Sequence, residues 1–268
     1  MQISWWKNWS EHLWEVVENK WISRNGQDHF YRIKVVIPAI EKAIRNVEDL
    51  LTVIDLGCGD AFVLNQLLKR DIITTNMIRD IILIDRSNRL LKIAQSRIKL
   101  PSARAIKADL DNDSWVPIVK GTKPNKLFLS IFLIQEMPRV DNFFSNLYKV
   151  FKERDLGLFI TVAPSFAHHL ISTGKMHLTR KGILNNTYFR WAAAYPVAGN
   201  SRPIHLPYFH RTRKEYEEAL NRYGMKLIDY KYLSVPSNKI SWGVFENTLY
   251  GEDIINRPSS LLLIVKKK

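Results

Sequence analysis

Asp55, Gly57 and Gly59 sit in Val53-Ile54-Asp55-Leu56-Gly57-Cys58-Gly59-Asp60-Ala61-Phe62, a carboxylate followed by two glycines one residue apart. Glycines at such a turn permit positive φ and let a ligand approach the backbone closely. The helix that follows offers unpaired N–H groups. This spacing suits the holding of a nucleotide. The Gly-x-Gly-x-x-Gly dinucleotide loop is not completed and the phosphate-loop Gly-Lys-Ser/Thr is absent, which leaves the acidic-x-Gly-x-Gly form. Two more carboxylates, Asp85 and Asp109, come later in the chain. Histidine titrates in the range a general base needs, and His168, His169 and His210 are the candidates, since they flank a long segment at 165–207. No acidic residue stands near them in sequence to orient them. Cys58 is the single cysteine, so an internal disulfide and a multi-cysteine zinc site are excluded. It lies inside the glycine turn, which makes cysteine nucleophile chemistry unexpected, and no metal site is expected.

The elements that position these residues read as alternating strands and helices. An apolar run at Leu51, Val53 and Ile54 precedes the turn, and Phe62, Val63, Leu64, Leu67 and Leu68 follow at helical spacing. Ile81-Ile82-Leu83-Ile84 is a continuous apolar run ending at Asp85, the pattern of a buried parallel strand whose carboxyl edge faces ligands. Further strands are predicted at 105–108, 127–132, 157–162, 226–232 and 260–265, with helices from Leu90, from Phe143 and from Lys214. Thr212 and Glu215 have the spacing of a capping box. A helical pattern through Tyr31, Ile33, Val36, Ile40 and Ile44 is interrupted by Pro38.

With Asp-Leu-Gly-Cys-Gly at 55–59 and Asp85-Arg86-Ser87-Asn88-Arg89-Leu90-Leu91 after the second strand, the chain resembles the class I S-adenosylmethionine-dependent methyltransferases. The resemblance spans about residues 30 to 266, and its specific part is 53–162. It implies an α/β fold: a Rossmann-like seven-stranded mostly parallel sheet with helices on both faces, an antiparallel last strand, an N-terminal helical lid and an insertion after strand five. It implies S-adenosylmethionine as cofactor, with Gly57 and Gly59 near its methionine part and Asp55 ordering the loop or meeting the ammonium. Asp85 and Arg86 fall at the ribose, Asp109 at the adenine amino group, and the backbone of Leu110 against the ring. Arg32 is the candidate for the cofactor carboxylate. Ser130, Gln135 and Glu136 match a strand-serine-polar-pair pattern at the pocket floor. Ala61 replaces the usual third glycine, Lys126 the usual aspartate, and Arg154-Asp155-Leu156-Gly157 the usual Pro-Gly-Gly. The motif that grips a planar amine in adenine and glutamine N-methyltransferases is missing.

The net charge is +14, and its distribution carries more meaning than its total. Residues 1–50 hold seven basic and seven acidic groups, whereas no acid stands between Asp155 and Glu215, a stretch with eight Lys or Arg and five of the seven histidines. Trp5, Trp6, Trp9, Trp14 and Trp21 crowd the N-terminal stretch, fitting either a helix packed on the core or a lid. No apolar run reaches the roughly eighteen residues of a membrane span, and the first residues lack the form of a secretory signal. A cytoplasmic protein is expected.

The expected organisation is an N-terminal helical lid at 1–46, a cofactor-binding core at 47–164, a substrate-covering insertion at 165–207 and the return of the core sheet at 208–268. The expected function is methyl transfer to O, N or C of a small, anionic or aromatic molecule. His210 or His169 would act as base, and Trp6, Trp9, Gln135, Glu136, His168, Tyr208 and Arg211 would contact the substrate. RNA methylation is an alternative supported by the charge, and a non-catalytic cofactor-binding subunit is a third reading. The sequence leaves the oligomeric state open.

Overall fold

The computed structural model describes residues 27–47, 51–137, 139–173, 182–184, 187–194, 204–209, 211–236 and 251–268. Trp6, Trp9 and His210, expected at the site, lie outside them. The centre is a seven-stranded sheet of β1 (Leu51–Leu56), β2 (Ile78–Asp85), β3 (Ala103–Lys107), β4 (Lys126–Ile131), β5 (Leu156–Val162), β9 (Met225–Leu233) and β10 (Ser260–Lys267), in the order β3-β2-β1-β4-β5-β10-β9. The first five strands are mutually parallel, and β10 runs antiparallel between β5 and β9. This is the sheet the sequence leads one to expect, with its antiparallel last strand.

The inner strands are apolar on both faces because helices cover both. On one side α2 (Ile37–Ile44), α3 (Phe62–Lys69) and α4 (Asn88–Arg97) pack Ile37, Ile40, Leu64, Leu67 and Leu91 against Leu127, Leu129, Leu158 and Ile160 of the sheet. On the other, α5 (Val116–Lys120), α6 (Val140–Val150) and α8 (Arg213–Arg222) enclose Trp115, Phe143, Phe144 and Tyr216 with Phe128 and Phe159. Phe159 takes Phe143 and Phe144 edge-on, with ring centroids 6.1 Å away in each case. A core built on such rings is sensitive to truncation, each Phe→Ala costing about 3–5 kcal/mol.

Local signals account for the helix ends. Ser87 caps α4 by accepting from the Leu90 N–H at 3.1 Å. Thr212 and Glu215 form both halves of the expected capping box on α8. Pro38 does not interrupt the N-terminal helix: α1 (Gln27–Tyr31) leads through a widened π turn at Arg32–Val36 into α2, where Pro38 sits in the first turn. A missing N–H is harmless at that position.

Two departures from the methyltransferase pattern answer each other. Lys126 at the start of β4 is 3% exposed, and its Nζ lies 3.7 Å from Asp155, which stands just ahead of β5. Asp155 also accepts from the backbone N–H groups of Lys126 and Lys152, both at 2.8 Å. Burial pushes its carboxyl up, and these bonds oppose the shift. The charged pair closes the sheet edge remote from the glycine turn.

After β5 the chain enters α7 (Pro164–Ser172), so the boundary expected at 164/165 falls at the start of a helix. A three-stranded antiparallel sheet follows, β6 (Gly182–Leu184), β7 (Thr187–Ala194) and β8 (Ile204–Tyr208). In the described part of the expected lid segment, Phe30, Tyr31, Ile37 and Ile40 of α1 and α2 pack against the core. A short α9 (Gly251–Asn256) precedes β10. No described helix is long and apolar enough to cross a membrane.

Candidate functional site

The carboxyl ends of β1 and β2 are locked together by the glycine turn. The Gly57 and Cys58 N–H groups both donate to the Ile84 carbonyl, at 2.8 and 3.0 Å. Gly57 has φ +71°, a conformation that favours glycine, and a Cβ there would lie 2.9 Å from Leu133 Cδ1, so the Leu133 side chain would also have to move. Gly59 has φ +53°, but nothing lies within 4 Å of its notional Cβ. The chain is bare there on an open side. Ala61, in place of the usual third glycine, is also left-handed at φ 53°. Its methyl group therefore carries a backbone strain of about 1–2 kcal/mol.

Three carboxylates surround this turn. Asp85 accepts from the Gly59 N–H through Oδ2 and from the Ser87 N–H through Oδ1, each at 2.9 Å, so it fastens the β1 turn to the β2 turn. Burial raises its carboxyl, while these N–H groups and the Arg86 charge oppose the rise. Asp60 is buried, accepts from Phe62 N–H at 3.3 Å and is ion-paired with Arg97 of α4, which also donates to the Asp60 carbonyl. Asp55, 4% exposed, is pushed up to about 7, first by burial and then by Asp85 and Asp60, with Arg32 acting in the opposite direction. The same surroundings, burial foremost, hold the buried Cys58 thiol protonated, in keeping with the expectation that it is no nucleophile.

The N-terminal helix closes on this turn. His29 of α1 stacks flat on Phe62 at the start of α3, with centroids 3.9 Å apart and planes 4° apart. Tyr31 Oη is hydrogen-bonded to Ser259 Oγ at 2.7 Å and Ser260 Oγ at 2.6 Å, and its ring leans on Phe132. Arg32 follows directly, near enough to Asp55 to act on its charge. Beyond β3, the Ala108 N–H donates to the Asp85 carbonyl at 3.0 Å, which sets Asp109 beside Asp85. Asp109 accepts from the Asp111 N–H at 3.0 Å, and Leu110 is buried.

No protein-family model matches the chain, and no curated protein does. Solved structures do. A SAM-dependent methyltransferase from Anabaena variabilis aligns with a TM-score of 0.61 at 10% identity, over 97% of this chain and 93% of that one. An S-adenosylmethionine-dependent methyltransferase from Mesorhizobium loti gives 0.56 at 18% identity, over 86% and 96%. One from Clostridium acetobutylicum gives 0.55 at 12% identity, over 96% and 98%. The chain has the class I methyltransferase fold. Its glycine turn, Asp85 and Asp109 lie at the ends of the first three strands of that fold, as the sequence motifs imply.

In the methyltransferase fold the remaining candidates separate. Ser130 is fully buried near the end of β4, and its hydroxyl has no hydrogen-bond partner among the described residues. Gln135 is buried and tied to the fold: its Oε1 accepts from Thr161 Oγ1 at 2.9 Å and from Val162 N–H at 3.3 Å, and its Nε2 donates to the Phe132 carbonyl. Glu136 beside it is half-buried. Arg211, expected at the substrate, is 4% exposed and donates to the Ile134 and Met137 carbonyls at 3.3 and 2.7 Å. The loop after β4 is thus braced from both sides. The chain leaving β8 at Tyr208 reaches it through the Phe209 N–H, which donates to the Gln135 carbonyl at 2.7 Å.

His168 is exposed. His169 has a partner that sequence reading missed: its Nε2 lies 2.7 Å from Asp253 Oδ1, across 84 residues, both side chains being largely buried. His29, Tyr31, Asp60 and Arg97 were also missed. The only sequence signals were an acid beside the glycines and a basic residue on the next helix.

Proposed function

We propose that the chain is an S-adenosylmethionine-dependent methyltransferase. The observation that carries this reading is Asp55, a buried carboxylate crowded by two others beside the open turn at Gly59. Such a place is relieved by a cationic ligand, and the cofactor has an ammonium and a sulfonium. Asp85 would take the ribose hydroxyls with lone pairs left over from the backbone bonds. Asp109 and Leu110 would meet the adenine, Arg32 the carboxylate, and Arg86 and Ser130 would flank the site. The bound cofactor supplies an activated methyl group. The protein's part is to hold the acceptor in line and exclude water, with His169, oriented by Asp253, or His210 taking a proton from the acceptor.

The acceptor suggested first is a small anionic or aromatic molecule beneath the acid-free segment 165–207, with Trp6, Trp9, Glu136, His168 and Tyr208 near it, in a cytoplasmic protein. RNA is the second reading, favoured by unpaired cations on α4 and β3. A non-catalytic subunit has less support, since the cofactor motifs of the resemblance are nearly complete in the sequence.

Calorimetry with S-adenosylmethionine and S-adenosylhomocysteine tests the proposal. Binding of both is expected, weakened ten-fold or more in Asp85→Ala, and absence of binding by either ligand overturns the reading. Once an acceptor is in hand, full turnover by His169→Ala would remove that residue as base.

A further inference from the structure

A second acid-free basic stretch lies on described residues. Residues 86–107 hold seven Lys or Arg and no Asp or Glu, and they form α4 and the edge strand β3. Arg97 is drawn inward by Asp60. Arg89, Lys92, Lys99 and Lys107 are exposed and make no ion pair among the described residues. On α8 and β9, by contrast, Arg213 is answered by Glu217, Lys214 by Glu218, Arg222 by Asp141 and Lys231 by Asp229.

The unanswered charges share one surface. Arg89 and Lys92 fall on one side of the helical repeat, opposite the buried Leu90, Leu91 and Ala94, and Lys99 follows two residues after the end of α4. Lys107 shares a strand face with Ala103 and Ala105, which pack on the core cluster that holds Leu91 and Ala94 of α4. Exposed Asn88, Gln95 and Ser96 fill the gaps, and the half-buried Ile93 beside Arg89 is the one apolar side chain of α4 bordering the face among the described residues. Membrane insertion needs a whole face of such side chains, and the core of a protein interface is depleted in charge and rich in aromatics. A phosphate backbone needs only cations and hydrogen-bond donors. The face begins two residues after Ser87, whose N–H is held by Asp85, and so ends at the glycine turn.

We propose that the α4–β3 face is an RNA-docking surface that leads the strand to the methyl-donor site. Its purpose rests on the methyltransferase reading, but the binding stands or falls separately. The probe is a fluorescein-labelled tRNA transcript titrated by anisotropy from 50 to 300 mM salt, with wild type, Lys92→Glu/Lys99→Glu, and Lys214→Glu/Arg222→Glu as a control of equal charge change. Lys92→Glu/Lys99→Glu should lose ten-fold or more in affinity. Its log–log salt slope should fall by about 1.4–1.8, as each lost phosphate contact contributes about 0.7–0.9. The control should stay within about three-fold. Calorimetry with S-adenosylhomocysteine on the same variants should be unchanged. If it fails for wild type as well while RNA still binds, the methyltransferase reading is lost and the docking surface is not. No RNA binding at 50 mM salt, equal losses in both variants, or tighter binding of phosphatidylserine vesicles than of RNA through the same lysines would overturn the proposal.

Discussion

Asp55→Asn should stabilise the unliganded protein at alkaline pH while abolishing cofactor binding. The carboxyl is raised from an ordinary 3.8 to about 7 by burial, Asp85 and Asp60. A carboxyl raised in the folded state keeps its proton there after the unfolded chain has lost it. Folding is therefore favoured below pH 4, and that advantage is lost as pH rises to about 7. The difference between 3.8 and about 7 corresponds to about 4 kcal/mol, and at 4% exposure little solvent screening reduces it. Asparagine fills the same space without the charge. In urea unfolding followed by tryptophan fluorescence, the variant should gain up to about 4 kcal/mol over wild type at pH 8, and less than half of that at pH 5. A gain that is the same at both pH values, or no gain at either, would refute an ionised Asp55 as a stored strain. The wild type should also release a proton when S-adenosylmethionine binds at pH 7, as the incoming cation favours the carboxylate. Calorimetry in two buffers of different ionisation enthalpy measures this, and Asp55→Asn should release none.

The two glycines should respond differently to a methyl group. Gly57→Ala meets both a left-handed backbone and Leu133 at 2.9 Å, so a loss of about 2–4 kcal/mol is expected by urea unfolding, together with loss of cofactor binding. Gly59→Ala meets only the backbone strain of about 1–2 kcal/mol, and because the open side is where a ligand would lie, its effect on cofactor affinity should exceed its effect on stability. Lys126→Met leaves Asp155 buried without its cation and should cost about 3–5 kcal/mol at neutral pH. The deficit should shrink on acidification as Asp155 takes up a proton, and a deficit independent of pH would count against a charged pair.

The sequence made visible what acts within one strand and its following turn. Asp55 with Gly57 and Gly59, Asp85 ahead of Ser87, and Thr212 with Glu215 need only neighbours a few residues away, and each is where its motif implies. Pairs made by the fold were not visible. Tyr31 finds Ser259 across 228 residues, His169 finds Asp253 across 84, and Arg97 finds Asp60 across 37. Each needs the strand order before the partner can be known. Lys126 and Asp155 are instructive because both looked like losses from the pattern when read singly. As neighbours in the sheet, they replace one local device with another.

Charge around the glycine turn is sorted by depth. Of the anionic groups at the glycine turn, Asp55 and Asp60 are buried and Asp85 half-buried, whereas Arg89 and Lys92 of α4 are exposed, although α4 begins only three residues after Asp85. Arg97 marks the division, since it belongs to the basic helix but turns inward to Asp60 and passes within 5.9 Å of the Phe62 ring centroid. If the buried acids hold a cationic cofactor and the exposed bases an anionic acceptor, the two partners are drawn to the same turn by fields of opposite sign. A sulfonium loses its charge as its methyl leaves, so Asp55 is then unfavourably ionised again, and release of the neutral product is favoured over release of the donor. The expected consequence is that S-adenosylmethionine binds more tightly than S-adenosylhomocysteine at pH 8 but not at pH 5.5, where Asp55 holds its proton. Equal ratios at the two pH values would separate Asp55 from product release.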